Sequence, residues 1–121
     1  MAKRISDSDR ALVARVGVAL ARGEGVARAE LATATRTACH LLEQRHPGHT
    51  VELRVPPFSA VQLGIGNRGA HTRGTPPNVV ETDPTTLVCL ATGSLTWPEA
   101  RAAHRVSASG AQADLSECFP L

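Results

Sequence analysis

The spacing of apolar residues changes once along this chain, near residue 50, and the change restricts the folds that it can adopt. Before residue 50 the apolar residues recur three or four positions apart, which predicts amphipathic helices. Residues 50–55 and 60–65 then alternate apolar with polar side chains, which is typical of half-buried strands. This order of elements predicts an α+β domain.

Two helices are predicted in the first third of the chain. Ser8 is a suitable N-cap, and Asp9 places an acid in the first turn, where the helix dipole favours negative charge. The first helix ends at Gly23, and a second helix occupies about residues 26–45. The apolar face predicted for the first helix consists of Leu12, Val16, Ala19 and Leu20.

Strands and short helices follow in the remainder of the chain. The connection between the strands at 50–55 and 60–65 is short, so the two are predicted to pair antiparallel. Further strands are predicted at 78–82, 106–110 and 112–115.

Two helix starts in this part of the chain carry clear local signals. Asp83 followed by Pro84 pairs an N-cap with a proline at the first helical position, and Gly93 ends that helix. Thr96 and Glu99 have the spacing of a capping box. We expect one domain over residues 1–121, with residues 1–24 as an N-terminal helical extension.

The composition argues against several classes of function. The chain has 121 residues and only three aromatic side chains, Phe58, Trp97 and Phe119, so short side chains must fill its interior. Single-stranded nucleic acids need aromatic faces for base stacking, and a net charge of +2 is too small for a phosphate-tracking surface. We therefore expect no nucleic-acid partner.

Metal binding, disulfide formation and membrane insertion are not expected either. The cysteines, Cys39, Cys89 and Cys118, show no zinc spacing and are predicted to be free thiols, and Cys118 is the only one expected to be reactive. The histidines near the end of the second helix, His40, His46 and His49, are better explained by the turn there than by a metal. No apolar run is long enough to cross a membrane, so a cytoplasmic protein is expected.

One short motif resembles a dinucleotide fingerprint. Residues 64–69 spell GxGxxG after a strand, with Asp83 further along. The chemistry needs a helix N-terminus at the third glycine, and Gly74, Pro76 and Pro77 leave no room for that helix. We reject this interpretation and expect no cofactor.

The loop at residues 71–75 has two interpretations. His71, Arg73 and Thr75 could together hold an anionic head group, because arginine donates bidentate hydrogen bonds to carboxylates and phosphates. Alternatively, these side chains brace the loop itself. No nucleophile–base or paired-carboxylate spacing stands out, so the sequence predicts no catalytic residues and no enzyme.

The chain from about residue 26 resembles the sterol carrier protein family. The similarity lies in residues 51–58, in residues 71–84, and in the order of strand, capped helix, proline-started helix and strand that ends at Gly110. Residues 51–58 and 71–84 are more narrowly similar to a bacterial sterol-carrier orthologue domain. The resemblance implies a five-stranded, mostly antiparallel sheet, covered on one face by helices, with a hydrophobic tunnel between the layers.

The resemblance also implies a function. We expect non-enzymatic binding or carriage of a lipid, sterol or acyl chain. The alternative is an accessory domain that forms a homodimer or binds a protein partner through its N-terminal helix. The residues that we place around such a ligand are Val61, Leu63, Leu87, Leu90, Leu95, Trp97 and Phe119, with His71, Arg73 and Thr75 as candidate head-group contacts. For any single apolar residue of this set, ordinary core packing is the better explanation.

Overall fold

The computed structural model of the protein describes residues 4–66 and 78–121. Within these ranges it contains four α-helices, four strands and a final 3₁₀ turn. The helices are α1 (Asp7–Ala21), α2 (Arg28–Arg45), α3 (Pro84–Thr92) and α4 (Trp97–Ala102). The strands are β1 (Val51–Val55), β2 (Ser59–Leu63), β3 (Asn78–Thr82) and β4 (Val106–Ser109), and Ser116–Cys118 forms the 3₁₀ turn.

The strands form one mixed sheet in the order β2-β1-β3-β4. β1 pairs antiparallel with β2 and parallel with β3, and β3 pairs antiparallel with β4. The predicted α+β class and the antiparallel β1–β2 pair are confirmed. The described part of the chain holds four strands in a mixed sheet, whereas five mostly antiparallel strands were expected.

The predicted strand at residues 112–115 is wrong. Ala113 and Leu115 are buried, so the alternation that predicted a strand does exist. However, the Gln112 N–H donates to the Asn78 side-chain oxygen (3.0 Å) instead of to a neighbouring strand. The chain then turns at Asp114, whose carboxylate accepts from the Ser116 N–H (2.8 Å). Side-chain oxygens therefore replace the ladder that a fifth strand would need.

The sheet buries one face under the helices and leaves the other face polar. On β1, Val51, Leu53 and Val55 are buried, while Arg54 is exposed. α2 packs against β2 and α3, and α1 packs against α2 and α3, so α1 lies on the outer side of the helices. The apolar core therefore lies between the sheet and α2 with α3.

Most of the predicted helix ends are confirmed. Asp83 caps α3 through the Thr86 N–H, Gly93 ends it with φ +89°, and Thr96 with Glu99 forms the capping box of α4. The N-cap of α1 is Ser6 and not Ser8, because the Ser6 hydroxyl accepts from the Asp9 N–H (3.1 Å). Ser8 lies in the first turn.

Candidate functional site

Four of the residues expected around a ligand lie in the apolar core. Leu63 and Leu87 have no exposed surface, Leu90 is 1% exposed and Val61 is 7% exposed. All four belong to the continuous cluster that joins the sheet to the helices. Ordinary core packing produces burial of this degree. That these four residues contact a ligand stays a prediction.

The other three residues, Leu95, Trp97 and Phe119, lie together at the start of α4. They line a small cleft of about 170 Å³. The Trp97 and Phe119 rings stack with their centroids 6.2 Å apart, and Trp97 itself is buried. The tail that carries Phe119 is held to α3 by the Leu121 N–H, which donates to the Ala91 carbonyl (2.9 Å). The tail therefore covers Trp97 and leaves only a narrow opening beside it.

The remaining predicted residues, His71, Arg73 and Thr75, lie outside the described residues. The glycine motif before them is described only at its beginning. Gly64 is buried against the turn after α2, where its N–H donates to the His46 carbonyl (2.8 Å) and a Cβ atom would collide with the Pro47 carbonyl. The first glycine of GxGxxG thus has a packing role.

A larger groove lies on the outer side of the helices. Its volume is about 430 Å³, and it runs between α1, α2, α3 and the C-terminal tail. One face of α1 forms its longest wall, because positions 10, 14, 17, 18 and 21 follow helical spacing. The lining residues are Arg10, Val13, Ala14, Gly17, Val18, Ala21, Leu41, Arg45, Ala91, Thr92, Ser94 and Leu121.

The groove exists because α1 and α3 approach closely at a single point. A Cβ atom at Gly17 would lie 2.5 Å from Thr92 Cγ2 and 2.6 Å from Thr92 Oγ1, which is closer than any normal contact. With Thr92 opposite, glycine lets the two helices meet there without a side chain having to move. On either side of this contact, small side chains such as Ala14 and Ala21 leave the space unfilled.

The groove is charged at one end. α1 and α2 are joined by a short connection, and Arg10 near the start of α1 lines the groove together with Arg45 at the end of α2. Both arginines are exposed, and neither forms an ion pair with any acid in residues 4–66 or 78–121. The groove therefore combines an apolar wall with two unpaired cations.

The face predicted for α1 is confirmed in part, because Val16 is buried and Leu12 and Leu20 pack against the core. Val13, Val16 and Gly17 are the buried residues, whereas Leu12 and Leu20 are half-buried. The signal that could have located the groove is Gly17, because glycine inside a helix costs about 1 kcal/mol and is usually retained for a close approach.

All three cysteines are buried thiols. Burial raises the pKa of the Cys39 thiol to about 11, although a hydrogen bond with Ser59 acts in the opposite direction. Cys118 is buried as well, and its expected reactivity stays a prediction. Within the described ranges, no group of histidine, cysteine and acidic side chains is arranged to hold a metal ion.

None of the described helices is both long and apolar enough to cross a bilayer.

Comparison with known families agrees with the fold. Residues 27–121 match the family model described as bacterial SCP ortholog, where SCP denotes sterol carrier protein. The chain belongs to this family. No curated protein matches it. The SCP match begins after α1, so the groove lies between the matched part of the chain and a helix outside the match.

Proposed function

We propose that this SCP-family chain is a non-enzymatic binder of acyl chains or similar apolar ligands, and that the groove beside α1 is its binding site. The observation that carries the proposal is an apolar groove of about 430 Å³ with two arginines at one end. This volume falls within the range of about 300–1,000 Å³ that is common for small-molecule sites.

The groove is a more favourable site than an empty tunnel inside the core. An enclosed void of this size would cost about 10 kcal/mol at roughly 24 cal/mol per Å³. A domain of this length has a net stability of only about 5–15 kcal/mol. Because the groove is bordered by exposed residues such as Ala14 and Val18, water can occupy it and that cost does not arise.

The expected affinity is moderate. Burying a sixteen-carbon chain contributes about 13 kcal/mol at roughly 0.8 kcal/mol per methylene. Association costs about 4–15 kcal/mol, and an open groove covers only part of the chain. Binding no tighter than about micromolar is therefore expected, with an anionic head group oriented toward Arg10 and Arg45.

A matched pair of substitutions on α1 tests the position of the site. Ala14→Phe places a ring in the groove, whereas Ala11→Phe places the same ring on an exposed position that does not line it. Binding of a fluorescent fatty acid should be lost in the first variant and retained in the second. Equal uptake by both variants, or no uptake by the unsubstituted protein, would refute the proposal.

A second candidate function is supported by Val18. Its side chain is 51% exposed, and it is the large apolar residue that the described part of the chain leaves open to solvent. An accessory domain would bury Val18 against a partner or a second copy. Light scattering of the purified protein distinguishes the two functions, because Val18→Glu would dissociate a dimer but would leave a monomeric carrier monomeric.

The buried Cys39 thiol supports a non-enzymatic role. A nucleophilic cysteine needs a lowered pKa, and Cys39 has its pKa raised by burial. A fluorescent acyl ester used in place of the fatty acid checks this point, because it should be recovered chemically unchanged after release.

A further inference from the structure

One of the buried threonines in the described ranges forms no hydrogen bond with the protein. Four threonines are buried in the described ranges, and three of them donate to a protein oxygen: Thr35 to the Leu31 carbonyl, Thr82 to the Arg105 carbonyl and Thr86 to Asp83. The fourth, Thr37, is 5% exposed and hydrogen-bonds to no residue in the same ranges. The enclosed side-chain atoms without a partner in the described ranges are His46 Nδ1 and Gln112 Oε1, so the Thr37 hydroxyl is open to solvent and can bond to water or to a ligand.

Thr37 borders a cleft separate from the groove described above. The cleft has a volume of about 200 Å³ and lies between the residues that lead into α1 and the middle of α2. Thr33, Arg36 and His40 lie on the same face of α2 as Thr37, because the spacing of three or four residues brings them together. Arg4 closes the opposite side.

The two arginines of the cleft are available to a ligand. Neither Arg4 nor Arg36 donates a hydrogen bond or forms an ion pair within residues 4–66 and 78–121. Arg36 is held in place by the Phe58 ring, whose centroid lies 5.6 Å from its guanidinium carbon. Arg28 contacts the same ring at 5.0 Å but does not line the cleft.

We propose that this cleft binds a phosphate group, either as inorganic phosphate or as a small phosphate monoester. Guanidinium groups donate paired hydrogen bonds to phosphate oxygens. Threonine hydroxyls supply further donors to the remaining oxygens. A tetrahedral anion can accept from Arg4 on one side and from Arg36 and Thr37 on the other, whereas a carboxylate has only two oxygens in one plane.

Asp9 is the acidic residue that lines the cleft, and its substitution tests whether the ligand is an anion or a cation. Its carboxylate repels a phosphate, so Asp9→Asn should strengthen phosphate binding. The second acid nearby is Glu43, whose carboxylate oxygen lies 3.4 Å from His40 Nδ1. If the cleft instead held a cation, Asp9→Asn would weaken binding.

The experiment is a titration of the full chain with inorganic phosphate and with glycerol phosphate, followed by NMR or calorimetry at constant ionic strength. Saturable binding is expected for at least one of them. The compound that binds more tightly shows whether the ligand is inorganic phosphate or a phosphate monoester. Arg36→Gln should weaken it by about tenfold or more, since a charge-assisted hydrogen bond is lost. Arg28→Gln is the matched control and should leave it unchanged.

Thr37→Val separates a role of this residue in phosphate binding from a role in protein stability. The substitution removes a hydroxyl that forms no hydrogen bond within the described protein, so the stability of the unliganded protein should change little. Phosphate binding should nevertheless weaken several-fold. Equal affinity for phosphate and acetate, an equal loss in Arg28→Gln and Arg36→Gln, or no saturable binding would overturn the proposal.

Discussion

Substituting alanine for Gly17 should destabilise the protein, although alanine is the better helix former. The helix propensity of alanine alone would add about 1 kcal/mol to the free energy of unfolding. The added Cβ atom, however, would lie 2.5 Å from Thr92 Cγ2 and 2.6 Å from Thr92 Oγ1. Overpacking of this kind costs about 1–3 kcal/mol, so we expect a net loss of about 1 kcal/mol and a decrease in Tm of roughly 4 °C.

A second substitution separates this steric cost from any other effect of Gly17→Ala. Thr92→Ala removes both of the atoms that the new Cβ would meet first, and leaves the Thr92 Cβ at 2.8 Å. A small shift of α1 relieves that remaining contact. In the Thr92→Ala background, Gly17→Ala should therefore be neutral or should stabilise the protein by up to about 1 kcal/mol.

Urea unfolding of the four proteins measures the coupling between the two positions. Thr92→Ala alone is the control, because it also removes the hydrogen bond from the Thr92 hydroxyl to the Val88 carbonyl (2.8 Å). We expect a coupling energy of about 1 kcal/mol or more. If Gly17→Ala stabilises the otherwise unchanged protein, α1 does not contact α3 closely, and the groove between them would be refuted as well.

Three further substitutions or measurements follow from the structure. The pKa of Glu99 is lowered by its hydrogen bonds with Thr96, so the stability that it contributes is present above about pH 4.5 and is lost as the pH falls through the lower folded-state pKa. The stability difference between the protein and Glu99→Gln should accordingly shrink in acid, and pH-dependent urea unfolding would detect it. Cys39, with a pKa of about 11, should resist a thiol reagent at pH 8 until the protein unfolds, and rapid labelling of Cys39 in the native state would contradict its burial. Phe119→Ala removes the ring stacked on Trp97 and should shift the emission of this single tryptophan to longer wavelength, with a loss of about 2 kcal/mol in stability; an unchanged spectrum would mean that the tail does not cover Trp97.

The features that were predicted correctly depend on residues that interact with close neighbours in the sequence. The Asp83 cap and the Thr96–Glu99 capping box each join residues three positions apart. The predicted strand at 112–115 failed for the opposite reason. Its backbone donor at Gln112 is taken by Asn78, a residue that no local pattern connects with it.

The candidate site was less accessible to sequence reasoning than the fold. Four of the seven expected ligand residues lie in the packed core, and three surround the small cleft at Trp97. The apolar character of Leu63 or Leu87 is the same whether the side chain meets a ligand or another side chain. Sequence patterns therefore identify residues that avoid water, and they do not distinguish the two causes.

Helix ends, strand alternation and membership of the SCP family follow from the order of residues, because each depends on interactions that close within a few positions or on a pattern shared along residues 27–121. The position of open apolar space depends on how distant segments approach one another. Gly17 and Thr92 meet although most of the chain separates them, and this contact leaves the groove beside α1. The groove thus results from packing between α1, α2 and α3, which no single segment specifies.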